Sequence, residues 1–328
     1  MRSWSRAQRR THSSFLFVLI ALTSLALAAC GSGAASSSTS SPKEAVAVAT
    51  TGATFPLTVT DSTNTNVVFS KAPMRIISYS PAATEVLFAV GAGSQVVAVD
   101  KFSNYPKDTG ALPKVEYSKP APEPAVALNP DLVIMASQQE GQVPQFRALG
   151  LTVLLLKEPA NLAGVLDQVR LVGRITGHAS DGDQLAASMQ QRIDAVAAKV
   201  AKLPAGPAPK AFYELTADGY TVGPDSFIGS LLQTARLANV AEKTTGAFPQ
   251  VSSEVVIAAN PDIIFLADGM AGGTESLATV KVRPGWANLN AVKNGRVYVV
   301  DSDVFSRPGP RIVDALEQLV KLSYPGLQ

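Results

Sequence analysis

The sequence predicts an α/β protein of two similar lobes, each built on a parallel-type sheet, with one long rigid helix joining them and a ligand cleft between them. Three features support this prediction. Short apolar runs of strand length alternate with segments of helical periodicity, one segment of the chain is repeated, and an uninterrupted helical stripe lies between the two copies. Alternation of strands and helices is typical of parallel sheets that carry helices on their faces.

Seven runs have the length and the β-branched content of buried strands. They are RIISYS, VVAVD, LVIMAS, VLLL, AFYEL, IIFLAD and RVYVVD. Ahead of them, the segment FPLTVTDSTNTNVVF from Phe55 places two alternating runs around an Asn-rich turn. This arrangement predicts a β-hairpin at the start of the folded body.

The repeat relates the two halves of the chain. EPAVALNPDLVIMAS from Glu123 matches EVVIAANPDIIFLAD from Glu254, with Glu, Asn, Pro and Asp at the same spacing. Each copy predicts an amphipathic helix that stops at Asn-Pro and a buried strand after the Asp. Because the whole unit recurs, we expect two lobes of similar topology.

A single helix is predicted between the copies, from about Ser180 to Leu203. Its apolar stripe recurs at steps of three and four residues and consists of Leu185, Met189, Ile193, Val196, Val200 and Leu203. Acidic residues near its start and lysines near its end suit the helix dipole. One stiff helix between the lobes predicts that large hinge closure does not occur.

The N-terminal segment predicts export and a lipid anchor. Four arginines precede an apolar run from Phe15 to Ala29, the layout of a secretory signal, and the run is shorter than the roughly 20 residues that span a bilayer. Cys30 is the single cysteine, and Leu-Ala-Ala before it resembles the lipobox of bacterial lipoproteins. We therefore expect a signal peptide over 1–29, lipidation of Cys30, a flexible Ser-rich linker over 30–54, and an extracytoplasmic protein anchored to the cell membrane.

Charge and composition argue against several functions. Removing the four leader arginines from the 28 basic residues turns the formal charge of +2 into about −2, so no nucleic-acid partner is expected. Of the two histidines, His12 lies in the leader and only His178 remains, which is too few for a histidine metal cluster or a Ser-His-Asp triad. We predict no catalytic residue, no metal site and no resident cofactor.

Two other classes of function, an enzyme and a surface adhesin or scaffold, are alternatives to a ligand-binding protein. Carboxylates close together in sequence, such as Asp301 with Asp303 and Glu214 with Asp218, leave an enzyme as one alternative. A surface adhesin or scaffold is the other. The enzyme is disfavoured because carboxylates at strand ends are common without a catalytic role. The adhesin or scaffold is disfavoured because two parallel sheets whose strand ends converge on a cleft favour a small ligand.

A series of motifs resembles one family. In order, these are RIISYSPAATEVLFAVGAG, NYP at Asn104, the two Asn-Pro-Asp units, FPQVS at Phe248, RPGW at Arg283, AVKNGRVYVVD, and SRPGPR at Ser306. Together they resemble the helical-backbone (class III) substrate-binding proteins of ABC importers for vitamin B12, haem and ferric siderophores, most of all the cobalamin-binding branch. The resemblance runs from Pro73 to about Pro325, and we expect a first lobe over 55–160, a helical segment over 161–204 and a second lobe over 205–328.

The resemblance implies a ligand, partners and site residues. The ligand is a corrinoid, with haem or a ferric siderophore as the alternative, and any cobalt or iron belongs to that ligand. The partners are an ABC permease and its ATPase, and the protein is expected to be a monomer. By position, the ligand-binding residues are Tyr105, Tyr117, Phe248, Asp303 and Arg307.

Tyr117 departs from the family pattern in one respect, and one further aromatic residue is left out of the site. Tyr117 lies where related haem-binding proteins place an axial tyrosine, but Glu116 precedes it where they usually have glycine. Trp286 is tempting as a further aromatic contact, yet its position after RPG predicts that it opens a helix and packs inward.

Two further positions correspond to acidic residues that, in the family, lie on the top surface of each lobe and pair with permease arginines. Glu85 occupies the first position, and Gln233 replaces the usual glutamate at the second. Docking is therefore expected to depend mainly on Glu85. A purely structural role for Glu85 is the alternative, since Ser80 and Pro81 start a helix there and a carboxylate near a helix start suits the dipole.

Overall fold

The structure is a computed structural model that describes residues 54–268 and 274–327. The predicted signal peptide, Cys30 and the linker up to residue 53 lie outside the described residues. Within them, the predicted fold class is confirmed: two parallel sheets form two lobes, and a long helix lies between them in sequence.

The first lobe is a five-stranded parallel sheet in the order β5-β4-β3-β6-β7, preceded by the predicted hairpin β1-β2. Its strands are β1 (Leu57–Thr60), β2 (Asn66–Phe69), β3 (Ile76–Ser78), β4 (Val96–Asp100), β5 (Lys114–Val115), β6 (Leu132–Ala136) and β7 (Val153–Leu156). Its helices are α1 (Pro81–Ala89), α2 (Pro122–Ala127), α3 (Val143–Ala148) and α4 (Leu162–Thr176), with 3-10 turns at Ala92–Gln95, Lys107–Ala111 and Ser137–Gln142.

The second lobe is a four-stranded parallel sheet in the order β11-β10-β8-β9. Its strands are β8 (Lys210–Glu214), β9 (Ala238–Asn239), β10 (Ile263–Leu266) and β11 (Val297–Val299). Its helices are α6 (Phe227–Thr234), α7 (Ser253–Ala259), α8 (Leu277–Lys281), α9 (Asn290–Lys293), α10 (Ser302–Ser306) and α11 (Ile312–Ser323), with a 3-10 turn at Trp286–Asn288.

The predicted long helix is α5, which runs from Ala179 to Val200. Four residues of the predicted stripe, Met189, Ile193, Val196 and Val200, are buried along it. At its start α5 packs directly against α4, because a Cβ added at Gly173 would lie 2.9 Å from the Gly182 Cα. The helix pair is therefore in backbone contact at this point.

The connection between the lobes is broader than the single rod that the sequence predicts. α5 also contacts α11, where Arg192 binds Asp314 and Glu317 at 2.6 and 2.7 Å. One apolar cluster contains residues of both sheets, among them Ile134 of β6 and Phe265 of β10. The lobes are thus packed together through a shared core in addition to being joined by a helix.

Candidate functional site

A cleft lies where the carboxyl ends of the strands of both sheets converge. Its larger part, about 660 Å³, is lined by residues that follow β3, β4 and β7 and by the segment around α10. A smaller part, about 330 Å³, is lined mainly by the second lobe. Glu158 and Ser306 line both parts, so the two parts adjoin at these residues. Ligand sites of α/β proteins are expected at this edge of a parallel sheet.

An aromatic pair forms part of the first lobe's wall. The rings of Phe102 and Tyr117 meet edge to face, with centroids 5.4 Å apart and an interplanar angle of 85°. Both residues line the larger part of the cleft, as predicted for Tyr117. Phe102 was not predicted, although it follows β4 by two residues, and residues directly after parallel strands face such a cleft.

A buried carboxylate holds the turn that carries Phe102. The Asp100 side chain accepts the Phe102 backbone N–H at 2.8 Å and the hydroxyl hydrogen bond of Ser103. Burial raises the pKa of Asp100. Burial also raises the pKa of the Tyr117 hydroxyl, and the nearby carboxylates of Asp100 and Glu158 raise it further. The Tyr117 phenol is therefore held in its neutral form.

The predicted polar pair Asp303 and Arg307 also lies in the larger part of the cleft. The Arg307 guanidinium binds Asp303 at 2.5 Å, and it donates to Asn104 Oδ1 at 2.8 Å and to the Phe102 carbonyl at 3.0 Å. Asn104 donates in turn to Asp303 at 2.7 Å. Because Phe102 and Asn104 belong to the first lobe, this pair joins the two walls of the cleft.

The other two aromatic residues lie in different surroundings. Phe248 is half exposed and lines the smaller part of the cleft. Tyr105 is absent from the lining of either part, and its ring instead stacks under the Arg311 guanidinium at 4.1 Å. The structure thus brings Tyr117, Phe248, Asp303 and Arg307 to the cleft and leaves Tyr105 outside its lining.

The prediction that Glu85 lies on the top surface of the first lobe is wrong. Glu85 is only 3% exposed, and Arg311 binds its carboxylate through Nε at 2.9 Å and Nη2 at 2.5 Å. Arg307 lies 3.4 Å from the same carboxylate. The physical reason is that the segment between α10 and α11 of the second lobe brings the guanidinium groups of Arg307 and Arg311 onto α1. Binding of a permease arginine by Glu85 stays a prediction, and it now requires Arg311 to move.

Gln233 is exposed near the end of α6. Three residues on, Arg236 has a φ of 55°, in the left-handed region that favours glycine. Its guanidinium donates to the Leu203 and Pro204 carbonyls at 3.2 and 3.0 Å. These bonds join the turn after α6 to the segment that follows α5.

Trp286 packs inward as predicted. Its side chain is 4% exposed, meets Phe212 edge to face with centroids 5.9 Å apart, and lies under the Arg283 guanidinium at 4.7 Å. It is a core residue of the second lobe.

Glu158 and Gln138 were not predicted as site residues. Glu158 follows β7 by two residues and faces both parts of the cleft, and Gln138 donates to its carboxylate at 3.1 Å. The protein atoms that surround Glu158 in the cleft raise its pKa. The signal that could have identified it is a charged residue directly after a buried apolar strand.

Residues 54–268 and 274–327 lack two kinds of feature. No group of three or more His, Cys, Asp and Glu side chains there is placed to hold a metal ion. No helix in that part of the chain is long and apolar enough to cross a membrane.

Comparison with known proteins identifies the family. A model of the periplasmic binding protein family matches residues 76–304. An uncharacterized ABC transporter substrate-binding lipoprotein of Bacillus subtilis is 32% identical over 277 residues, which cover 83% of this chain and 86% of that protein. A cobalamin-binding protein of Halobacterium salinarum is 29% identical over 273 residues, covering 81% of this chain and 73% of that protein.

A solved structure agrees in fold over most of the chain. The periplasmic haem-binding protein of Roseiflexus sp. RS-1 is 28% identical and has a TM-score of 0.69, covering 77% of this chain and 99% of that one. The chain therefore belongs to the periplasmic binding protein family and is a non-enzymatic, substrate-binding component of an ABC importer, which takes a small-molecule ligand and works with a permease.

Proposed function

We propose that the ligand is a corrinoid of the cobalamin type, captured in the cleft between the lobes and delivered to the permease. The observation that carries this proposal is the aromatic wall with a neutral phenol. Phe102 and Tyr117 offer apolar ring surface, while burial and two nearby carboxylates raise the pKa of the Tyr117 hydroxyl. An aromatic face with a few polar groups suits a large ring that carries neutral amides on its rim.

Haem is the second candidate, because the solved haem-binding structure resembles this chain as closely as the cobalamin-binding relative does. A tyrosine that binds haem iron does so as the phenolate. Burial of Tyr117 and the carboxylates of Asp100 and Glu158 act against that anion, whereas the Arg307 guanidinium acts in its favour. The balance favours the neutral phenol, and so a ring that is bound without a tyrosine–iron bond.

The remaining assignments are part of the same proposal. Tyr117, Phe248, Asp303 and Arg307 contact the ligand. Tyr105 is a fifth proposed ligand contact, and its ring packs against the Arg311 guanidinium. Lipid on Cys30 tethers the protein to the cell membrane, as the lipoprotein relative supports. Glu85 and Gln233 contact the permease. The first lobe comprises residues 55–160, the helical segment 161–204 and the second lobe 205–328.

Ligand titration tests the choice between corrinoid and haem. The purified chain is titrated with cyanocobalamin, haemin and a set of ferric siderophores, with Tyr117→Phe as the variant. We expect cyanocobalamin to bind most tightly. Because Tyr117→Phe keeps the ring and removes only a hydroxyl, the variant should retain most of the affinity for cyanocobalamin.

The contrary result is equally clear. If haemin binds most tightly and Tyr117→Phe removes the absorption spectrum of tyrosine-ligated haem, the corrinoid proposal is wrong. Preference for a ferric siderophore would also contradict it.

A further inference from the structure

The junction of the two parts of the cleft carries a carboxylate, that of Glu158. Its main chain is fixed by Ser137, whose hydroxyl accepts the Glu158 N–H at 3.0 Å and donates to the Leu156 carbonyl at 3.3 Å. Gln138 donates to one carboxylate oxygen at 3.1 Å. Glu158 is thus held toward the cleft from both its main chain and its side chain.

The other charged groups around Glu158 are mostly paired. In the larger part of the cleft, Lys101 binds Glu116 at 2.9 Å, and Arg307 binds Asp303 at 2.5 Å. For the Glu158 carboxylate, the described residues provide one hydrogen-bond partner, the neutral amide of Gln138. Lys157 lines the larger part of the cleft and also a separate groove beside Asp61. Within the described part of the chain it has no ion pair.

This arrangement gives the cleft a chemical preference. A carboxylate accepts hydrogen bonds and cannot donate them when ionised, so it favours a ligand that presents N–H donors. It repels a ligand that presents carboxylates at the same place. Among the described residues Gln138 supplies one donor to this carboxylate, so its oxygens can accept further hydrogen bonds from a ligand.

We propose that Glu158 is a specificity-determining contact: its carboxylate accepts an amide N–H from the rim of the ligand and rejects rings whose rim carries carboxylates. This inference rests on the corrinoid function proposed above. It assigns to one residue the selection between a ring with amide side chains and a ring with acidic side chains.

The experiment compares cyanocobalamin with its monocarboxylic acids, in each of which one side-chain amide has been hydrolysed. The variants are Glu158→Gln and, as a matched control, Glu140→Gln. The control removes the same charge from an exposed residue that does not line the cleft. Thermal melting of both variants checks that the fold is unchanged.

We expect the unmodified protein to bind at least one of the acids about tenfold or more weakly than cyanocobalamin. Glu158→Gln keeps the size of the side chain and removes its charge. It should therefore weaken cyanocobalamin binding by about three- to tenfold and tighten binding of that acid, so that the ratio of the two affinities approaches one. Glu140→Gln should leave the ratio unchanged. If Glu158→Gln also leaves the ratio unchanged, the proposal is overturned.

Failure of the corrinoid function would be seen separately. If the unmodified protein binds haemin in preference to cyanocobalamin, the comparison passes to haemin and its dimethyl ester, which lacks the free carboxylates. Glu158→Gln should then tighten binding of haemin and leave that of the ester unchanged. An equal effect on both would overturn the role of Glu158, whatever the ligand.

Discussion

The two lobes have the same local structure at the amino ends of their strands and differ at the carboxyl ends. In the first lobe Asn129 ends α2 with a φ of 45°, and the Asp131 carboxylate accepts the Arg75 N–H at 2.8 Å, just before β3. In the second lobe Asn260 ends α7 with a φ of 47°, and Asp262 accepts the Lys210 N–H at 2.9 Å at the start of β8. The repeated sequence therefore makes the same local structure twice.

Even the basic residues correspond. The Arg75 guanidinium donates to the carbonyls of Leu128 and Asn129, and the Lys210 ammonium donates to the carbonyl of Ala259, so each binds the carboxyl end of the helix of the repeated unit, α2 or α7. At the opposite ends of the strands, the first lobe provides the Phe102–Tyr117 pair and Glu158, whereas the second provides mainly apolar residues together with Asp303 and Arg307. The amino ends thus stabilise the fold, and the carboxyl ends line the cleft.

The largest expected effect concerns the contact between the lobes at Glu85. Glu85→Ala leaves the guanidinium groups of Arg307 and Arg311 without their shared carboxylate. Removing one partner of a buried ion pair costs about 3 to 5 kcal/mol of the free energy of unfolding. Gln233→Ala, at an exposed position of the second lobe, should change it by less than about 0.5 kcal/mol. Urea unfolding of both variants measures the difference.

Ligand uptake through the permease then separates stability from docking. Glu85→Ala should reduce uptake at a temperature where the variant is still folded and binds ligand, and Gln233→Ala should reduce it much less. Arg311→Ala removes the internal partner and keeps the carboxylate, so the docking role predicts that uptake persists. Equal losses in Glu85→Ala and Arg311→Ala would show that the contact between the lobes matters and that the carboxylate does not dock.

The second prediction concerns the β1-β2 hairpin, which has no counterpart among the described elements of the second lobe. Its Asp61 binds Arg147 at 2.5 Å and accepts the Leu155 N–H of edge strand β7 at 3.2 Å. Asp61→Asn removes the charge from this buried pair and should cost about 2 to 3 kcal/mol of the free energy of unfolding at neutral pH.

The same residue predicts a dependence on pH. Burial acts to raise the pKa of Asp61, but hydrogen bonds from Thr63, Thr65 and Leu155 outweigh it and lower the pKa below the ordinary aspartate value. A lowered pKa in the folded state contributes stability above the ordinary value, and this contribution is lost as the pH falls toward the folded value. The difference between the unmodified protein and Asp61→Asn should therefore shrink below about pH 4. A constant difference down to pH 2 would contradict this assignment.

Most of the strands of both lobes could be predicted from sequence, because each depends on the residues of one short segment. Seven strands were found from runs of β-branched and apolar residues, whereas β5 and β9 were missed because each has two residues and includes a polar one, Lys114 or Asn239. The burial of Glu85 could not be predicted, since its partners Arg307 and Arg311 come from the other end of the chain. Glu158 and Phe102 were accessible in principle, because each follows a predicted strand.

The third prediction tests the shared amino ends. Asp131→Ala removes hydrogen bonds from two backbone N–H groups, and Asp262→Ala removes one from a backbone N–H and one from the Asn290 amide. Each variant should cost about 1 to 2 kcal/mol of the free energy of unfolding. Ligand affinity should stay within about twofold in both variants, because neither residue lines the cleft. Calorimetric titration and urea unfolding measure the two quantities. A loss of affinity without a loss of stability would mean that the division between the two ends of the strands is wrong.

The smallest expected effect concerns movement of one lobe against the other when ligand binds. Three features oppose such movement: the backbone contact of α4 with α5, the ion pairs of Arg192 with α11, and the apolar cluster that contains residues of both sheets. Bending between the lobes would expose part of that cluster, at a cost of about 25 cal/mol for each Å² of apolar surface. Hinge proteins close around their ligands because flexible segments between their domains absorb the motion. In this protein, packed helices connect the lobes instead. Scattering profiles of the purified protein with and without bound ligand should therefore coincide within error. A clear decrease in the radius of gyration would show that the lobes close as a hinge, and that the shared core gives way when the cleft is filled.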